Sequence, residues 1–257
     1  TMAATPFGHA VASKGVGIDT ACALWAWAET SRQRDWCVAD VLFAVASTPE
    51  GRMTQVLLTT REYDEAGYVA ELRECTRHEE IEGEGPLAQL CSARLQPFFE
   101  EVRATKVTLF LLGWLEETAI HTLEERYNTM AGQIIAAATQ LSWLIDAIQA
   151  IACAQGLEGP FTDRLSCLAM RLPFGVSEER VSLMQIGGPA LTRAEAIALG
   201  ACGLDSPDAM AEAPLALLEQ QLNCDSVRAV LAWAREWRSS LAPPGHEDSE
   251  AVSLPLL

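Results

Sequence analysis

Lysine is almost absent from this sequence of 257 residues. Only Lys14 and Lys106 occur, and all other basic residues are arginines. With 18 basic against 35 acidic residues, the formal net charge is −17 at pH 7. A field of that sign repels phosphate, which argues against broad, non-specific attraction to nucleic acid or to anionic membranes. A local basic patch remains compatible with this balance.

Motifs for nucleotide and metal chemistry are also missing. The sequence has no GxxxxGK[ST] and no Asp-Glu box after a strand, so the chain by itself is not expected to bind or hydrolyse ATP. Its eight cysteines form no CxxC pair, and its four histidines have no ligand spacing. We therefore predict no metal site, no catalytic residue, and reduced, buried thiols in a cytoplasmic protein.

What is present favours helices. Hydrophobic residues make up 49% and charged residues 21%, with abundant Ala, Leu, Glu and Gln. Thr59-x-x-Glu62 and Thr192-x-x-Glu195 match the capping box that begins a helix. A helix is predicted from Pro86 onward, kinked at Pro97. The fold class is predicted to be all-α, with a multi-helix bundle.

One helix, predicted between Gly132 and Gly156, is unusually apolar. At 100° per residue, an apolar stripe forms on one face: Ile134, Ala138, Leu141, Ile145, Ile148 and Ala152. Trp143 falls on the opposite face beside the small or polar residues Ala136, Thr139, Ala147 and Ala150, with Gln140 slightly further round. Asp146 and four glutamines interrupt the segment, which argues against a transmembrane span.

Two interpretations of Trp143 fit this geometry. Small neighbours allow a second helix to pack closely, which would make Trp143 part of a multilayer core. Alternatively, the ring is an aromatic shelf on which a nucleic-acid base stacks, a contact worth about 1–3 kcal/mol per base. The periodicity of the sequence leaves both open.

The C-terminal third contains two short helices joined by a glycine-containing hairpin. In a helix-hairpin-helix, the hairpin amides and the N-terminus of the second helix face one DNA phosphate. Here the candidates are the amides of residues 191–194 with Thr192 and Arg193. Glu195 in the first turn competes for the same amides, and such units also mediate protein contacts.

Several stretches in a fixed order resemble the C-terminal region of Ski-two-like superfamily-two DNA helicases. They are "TPFGHAVASKGVGIDTA", "WLEETAIHTLEERYNTMAGQIIAAATQLSWLIDAI", "MRLPFGVSEERVS" and "LMQIGGPALTRAEAIALGACGLDSPDAM". The archaeal fork-processing helicases and the helicase half of polymerase theta are similar. The resemblance implies a ratchet-like bundle over residues 1–172, whose first 18 residues end a winged helix. It also implies a helix-hairpin-helix domain over 173–240 and a flexible tail over 241–257. With no Met at position 1, we expect a piece of a longer protein.

The resemblance further implies a function in guiding a DNA strand. In the family a tryptophan of the ratchet helix stacks on a base, and it matches Trp143; Gln140 and Thr139 are its polar neighbours. Thr192 and Arg193 would contact phosphate, and Arg171 is a weaker candidate. An arginine of the family is replaced by Ala136, and the arginines of the hairpin are reduced to Arg193.

Partners and location are expectations of the same kind. The resemblance implies single-stranded or forked DNA and the helicase motor domains as partners, with ATP and Mg²⁺ bound by that motor and no cofactor in this chain. We expect no membrane partner, and a cytoplasmic or, in a prokaryote, nucleoid-associated protein. An RNA-directed relative is a variant of this interpretation. The alternative is a helical protein-interaction or structural module that has lost nucleic-acid binding.

Overall fold

The computed structural model describes residues 4–32, 35–77, 85–93, 96–186 and 191–241. All regular secondary structure within these ranges is helical, which confirms the predicted all-α class. The chain forms two compact units, Thr1–Val181 and Ser182–Leu257. The domain assignments made from the sequence, with a boundary after residue 172, stay predictions. Residues 242–257 of the predicted tail lie outside the described residues.

The first unit is built from ten helices in its described ranges. They are α1 (Pro6–Lys14), α2 (Ile18–Ser31), α3 (Val38–Ala46), α4 (Thr60–Glu65), α5 (Tyr68–Cys75), α6 (Pro86–Ser92), α7 (Phe99–Leu115), α8 (Ile120–Arg126), α9 (Ala131–Ala154) and α10 (Pro160–Arg171), with 3₁₀ turns at Gly51–Met53 and Glu178–Arg180. The second unit contains α11 (Val181–Ile186), α12 (Arg193–Ala201), α13 (Pro207–Glu212), α14 (Leu215–Gln221) and α15 (Cys224–Leu241). Helix α11 begins on the last residue of the first unit.

Local signals in the sequence predicted the starts of two helices correctly. Thr59 caps α4 and Thr192 caps α12, each in a complete capping box with the glutamate three residues later. The prediction of one helix kinked at Pro97 is wrong, because α6 ends at Ser92 and α7 begins at Phe99. Proline has no amide hydrogen, so a helix that continued through Pro97 would leave one carbonyl oxygen without its donor. The chain avoids this loss by ending the helix before Pro97.

Helix α9 is the central helix of the first unit. The predicted stripe is confirmed, since Ile134, Leu141, Ile145 and Ile148 are fully buried. Ala147 is buried as well, so the face predicted to lie opposite the stripe is partly covered too. By length and composition α9 could cross a membrane, and half of its most apolar window is buried inside the unit. Packing between helices accounts for the hydrophobicity of that half.

The expectation of buried thiols is wrong for the cysteines. Five are exposed and three are half-buried, and all eight are free. Cys153 illustrates the reason: it follows the buried Ala152 but lies one residue further round the helix, on the solvent side of α9. Apolar neighbours in sequence therefore do not place a helical side chain inside.

Residues of the quoted motifs join α7, α10 and the turn after α10. The buried Trp114 donates from Nε1 to the Leu172 carbonyl oxygen at 2.9 Å. Glu117 accepts from the Ser177 amide at 2.8 Å and forms an ion pair with Arg180. Burial opposes the charge on Glu117, but the hydrogen bonds from Ser177 and Arg180 outweigh it and lower the pKa of this carboxyl. These motif residues therefore connect the end of α7 to the residues that follow α10.

A buried ion pair links α4 to α7. The Lys106 side chain is fully buried, with Nζ 2.5 Å from Oε1 of Glu62 and 2.7 Å from the Leu57 carbonyl oxygen. The Tyr68 hydroxyl donates to the same Glu62 oxygen at 3.0 Å. Burial opposes ionisation of Glu62, but hydrogen bonds from Lys106 and Thr59 outweigh it and lower the pKa of this carboxyl to about 2.

This low pKa predicts a specific loss of stability in acid. Because the pKa of Glu62 in the folded state lies below its ordinary value of 4.5, its contribution is fully present above about pH 4.5. It is lost as the pH falls from there towards 2. In Glu62→Gln, we expect the free energy of unfolding to be reduced at pH 7 and to converge on that of wild type at low pH. Chemical denaturation across this range tests it, and a gap independent of pH would contradict it.

Candidate nucleic-acid interface

A shallow groove of about 350 Å³ runs along the exposed side of α9 where it meets α10. Its walls come from one stretch of each helix and the residues just after α10. They are Thr139, Ser142, Trp143, Asp146 and Gln149, facing Ser166, Ala169, Met170 and Pro173. Ser142 anchors the two helices by donating from Oγ to the Ala169 carbonyl oxygen at 2.7 Å. We call this the Trp143 groove.

The surroundings of Trp143 are compatible with both interpretations left open by the sequence. The side chain is half-buried and packs against the core of the first unit, yet it lines the open groove. Its indole Nε1 donates to the main-chain oxygen of Lys14 at 2.8 Å, at the end of α1. This bond between residues far apart in sequence fixes the orientation of the ring, as a stacking surface requires.

The two polar neighbours of Trp143 have different surroundings. Thr139 is exposed in the groove, with its hydroxyl bonded to the Ile135 carbonyl oxygen at 2.9 Å. Gln140 is half-buried, and its Nε2 donates to the main-chain oxygen of Glu50 beside the 3₁₀ turn. The groove therefore brings together Thr139 and Trp143, whereas Gln140 joins α9 to the segment after α3.

Arg171 lies outside the lining of the Trp143 groove. It is the last residue of α10, and its Nε donates to the Val176 carbonyl oxygen at 3.2 Å. The side chain lines two other cavities, one with Cys75 and Tyr127 and one with Trp36 and Asp163. The structure thus separates Arg171 from Trp143.

Thr192 and Arg193 begin α12 in the second unit. The predicted hairpin glycines, Gly187 and Gly188, lie outside the described residues. The Thr192 hydroxyl accepts from the Glu195 amide, and Glu195 Oε2 accepts from the Thr192 amide at 2.9 Å. Arg193 is half-buried. Two amides at this helix start, those of Thr192 and Glu195, are therefore already bonded within the chain, and fewer are left for a phosphate.

The second oxygen of Glu195 ties α12 to the start of α15. Oε1 accepts from the Asn223 amide at 3.0 Å and from Asn223 Nδ2 at 2.8 Å. Burial disfavours the charge on Glu195, but the amides of Asn223 and Thr192 outweigh it and lower the pKa of this carboxyl. Asn223 also caps α15 by accepting from the Asp225 and Ser226 amides. Sequence reasoning missed Asn223, although its position before an amphipathic helix is a capping signal.

Sequence reasoning also missed the cation beside Trp143. Lys14 Nζ lies 2.5 Å from Oδ2 of Asp146, at the rim of the Trp143 groove. No local pattern indicated this, because α1 and α9 are more than a hundred residues apart. In the part of the chain that the structure describes, no group of three or more His, Cys, Asp or Glu side chains could hold a metal ion.

Comparison with known proteins identifies the family of this region. Residues 39–175, more than half of the chain, match the model described as archaeal helicase, domain 4. The chain belongs to the archaeal helicase domain 4 family. The match includes α9 with Trp143, and it confirms the resemblance to the helical C-terminal region of Ski-two-like helicases.

Individual relatives carry the name ATP-dependent DNA helicase Hel308. The protein from Caldivirga maquilingensis is 31% identical over 108 residues, which cover 42% of this chain and 14% of the relative. The protein from Pyrococcus horikoshii is 28% identical over 132 residues, which cover 51% of this chain and 18% of the relative. The protein from Aeropyrum pernix is 27% identical over 95 residues, which cover 37% of this chain and 13% of the relative. Each match thus spans less than a fifth of the relative.

Proposed function

We propose that this chain is a strand-guiding accessory region of an ATP-dependent DNA helicase and that it binds single-stranded DNA without a motor of its own. The observation that carries the proposal is the Trp143 indole, fixed by the Lys14 carbonyl in an open groove on a domain 4 helix. A base can stack on a fixed, half-exposed indole whatever its identity. Thr139 offers a hydroxyl beside it.

The other proposed contacts are secondary. Thr192 and Arg193 would meet phosphate at the start of α12, but two amides there, those of Thr192 and Glu195, are already bonded within the capping box. Gln140 and Arg171 are engaged by the Glu50 and Val176 carbonyl oxygens. We therefore expect weak binding in which Trp143 dominates. Unwinding, with ATP and Mg²⁺, would belong to motor domains of the parent protein, a cytoplasmic or nucleoid-associated helicase.

Replacing Trp143 by alanine tests this proposal. We expect the variant to bind a labelled single-stranded oligonucleotide about tenfold more weakly, within the 1–3 kcal/mol that one stacked base contributes. Trp143→Phe keeps a ring but loses the hydrogen bond to Lys14, so its affinity should be intermediate. Fluorescence anisotropy at several salt concentrations measures the affinity, and thermal unfolding measures the stability.

Trp25 supplies a matched control. It is also a half-buried tryptophan of the first unit, but it lines a different groove, near Ala154 at the end of α9. That end lies about 16 Å from Trp143 along the helix axis. Trp25→Ala should lower the stability and leave the affinity unchanged. If Trp143→Ala behaves in the same way, Trp143 is a packing residue and the proposal is wrong.

The alternative is a protein-interaction or structural module. It is favoured by the net charge of −17, by Ala136 on the exposed side of α9, and by the capping box at the start of α12. A chain of this kind would bind neither single-stranded nor forked oligonucleotides at low salt. The same titration therefore separates the two functions.

A further inference from the structure

The ion pair at the rim of the Trp143 groove joins α1 to α9. Lys14 Nζ lies 2.5 Å from Oδ2 of Asp146, and the two side chains are 29% and 43% exposed. A pair that is open to water contributes little to stability, because solvent screens it. The pair is therefore accessible to a competing anion from solution.

Lys14 contacts Trp143 and Asp146 with different parts of the residue. Its main-chain oxygen accepts the indole hydrogen bond, while its side chain reaches Asp146, one helical turn after Trp143 on α9. Trp143 and Asp146, the residue that binds the ammonium, are about 4.5 Å apart along the axis of α9. A nucleotide carries the two complementary groups: a flat base that can stack on the indole, and a nearby phosphate that can pair with the ammonium.

The position of the Lys14 ammonium matters because the charge that lines the groove is negative. Asp146 is the only charged residue among those that line the Trp143 groove in the described chain, and the others are polar or apolar. A phosphate that enters would meet a carboxylate and be repelled unless Lys14 offsets it. The affinity for a phosphate thus depends on which anion Lys14 pairs with.

We propose that Lys14 is the cationic contact of the Trp143 groove for a phosphate of single-stranded DNA, and that Asp146 competes with that phosphate for the ammonium. This inference rests on the proposed function and adds a specific contact to it. The Lys14–Asp146 pair then sets both the affinity and the salt dependence of binding, whereas Trp143 supplies the stacking surface.

Substitutions at the pair test the inference in the full chain. Asp146→Asn keeps the shape of the side chain and frees Lys14, so a labelled oligothymidylate should bind several-fold more tightly. Lys14→Met keeps the main-chain oxygen that orients Trp143. It should weaken binding and reduce the slope of log affinity against log salt by about 0.7, the contribution of one single-strand phosphate contact. The double variant should bind more tightly than Lys14→Met, which leaves the Asp146 carboxylate unpaired, but less tightly than Asp146→Asn, which keeps the cation.

Glu65→Gln is the matched control, because it makes the same charge change and frees Arg61 in an exposed pair on α4. If Asp146→Asn matches this control while Trp143→Ala still weakens binding, only the present inference is wrong. A double variant that binds as tightly as Asp146→Asn overturns it too, because Lys14 would then contribute nothing to binding. If no variant binds, the proposed function and the inference both fail. Binding by Asp146→Asn alone would support the inference.

Discussion

Replacing Lys106 by methionine is expected to destabilise the first unit by about 3–5 kcal/mol. Methionine fills most of the same volume but leaves Glu62, with a 12% exposed side chain, without its cation. Removing one partner of a buried ion pair leaves an uncompensated charge in a poorly solvated place, which costs more than the intact pair contributes. The Leu57 carbonyl oxygen also loses its donor. Urea denaturation at pH 7 measures the loss.

Two further variants separate this cause from simple loss of packing. In the double variant Lys106→Met with Glu62→Gln, no charge remains to be neutralised, and glutamine can still complete the capping box with Thr59. It should recover part of the lost stability. Arg61→Met, which breaks the exposed pair with Glu65, should change stability little. A Lys106→Met protein as stable as wild type would contradict the prediction.

Features determined within one or two helical turns were predictable from the sequence. The Thr59 and Thr192 caps depend on residues three positions apart, and both form as expected. The buried stripe of α9 depends on periodicity, and Ile134 and Ile148 lie where it placed them. Such features need only local geometry, which the chain specifies at each position.

The contacts that build the candidate site were not predictable in this way. Trp143 is oriented by Lys14, which lies 129 residues earlier in the chain. Periodicity gave the direction of Trp143 relative to its own helix but not the neighbour on that side. The burial of Ala147 was left open for the same reason. Tertiary packing decided each of these outcomes.

The resemblance to helicases identified residues whose role is structural as well as those proposed to touch DNA. Glu124 of the "WLEETAIHTLEERY" stretch accepts from the Ala131 amide at 2.7 Å and so caps α9. The Tyr127 hydroxyl donates to Glu71 at 2.7 Å. The first bond fixes the start of the helix that carries Trp143, and the second joins the end of α8 to α5. A family motif can therefore predict a domain correctly while most of its residues serve the fold.

Gly175, in the turn after α10, is the other position where a small change should have a large effect. Its φ of 64° lies in the left-handed region, where a side chain costs about 1–2 kcal/mol. An added Cβ would lie 2.0 Å from Cε2 of the buried Trp114. Forcing the ring aside adds about 1–3 kcal/mol and strains its bond to Leu172. We expect Gly175→Ala to lose about 2–5 kcal/mol of unfolding free energy by urea denaturation.

Gly156→Ala isolates the backbone part of that loss. Gly156 has a similar φ of 74°, but a Cβ there would meet no described heavy atom within 4 Å. Its alanine variant should therefore lose only the left-handed cost, about 1–2 kcal/mol. The difference between the two variants measures how firmly Trp114 is held between α7 and the turn after α10. Equal losses would mean that the indole moves aside freely, and that the close approach of Trp114 to Gly175 does not hold the ring in place.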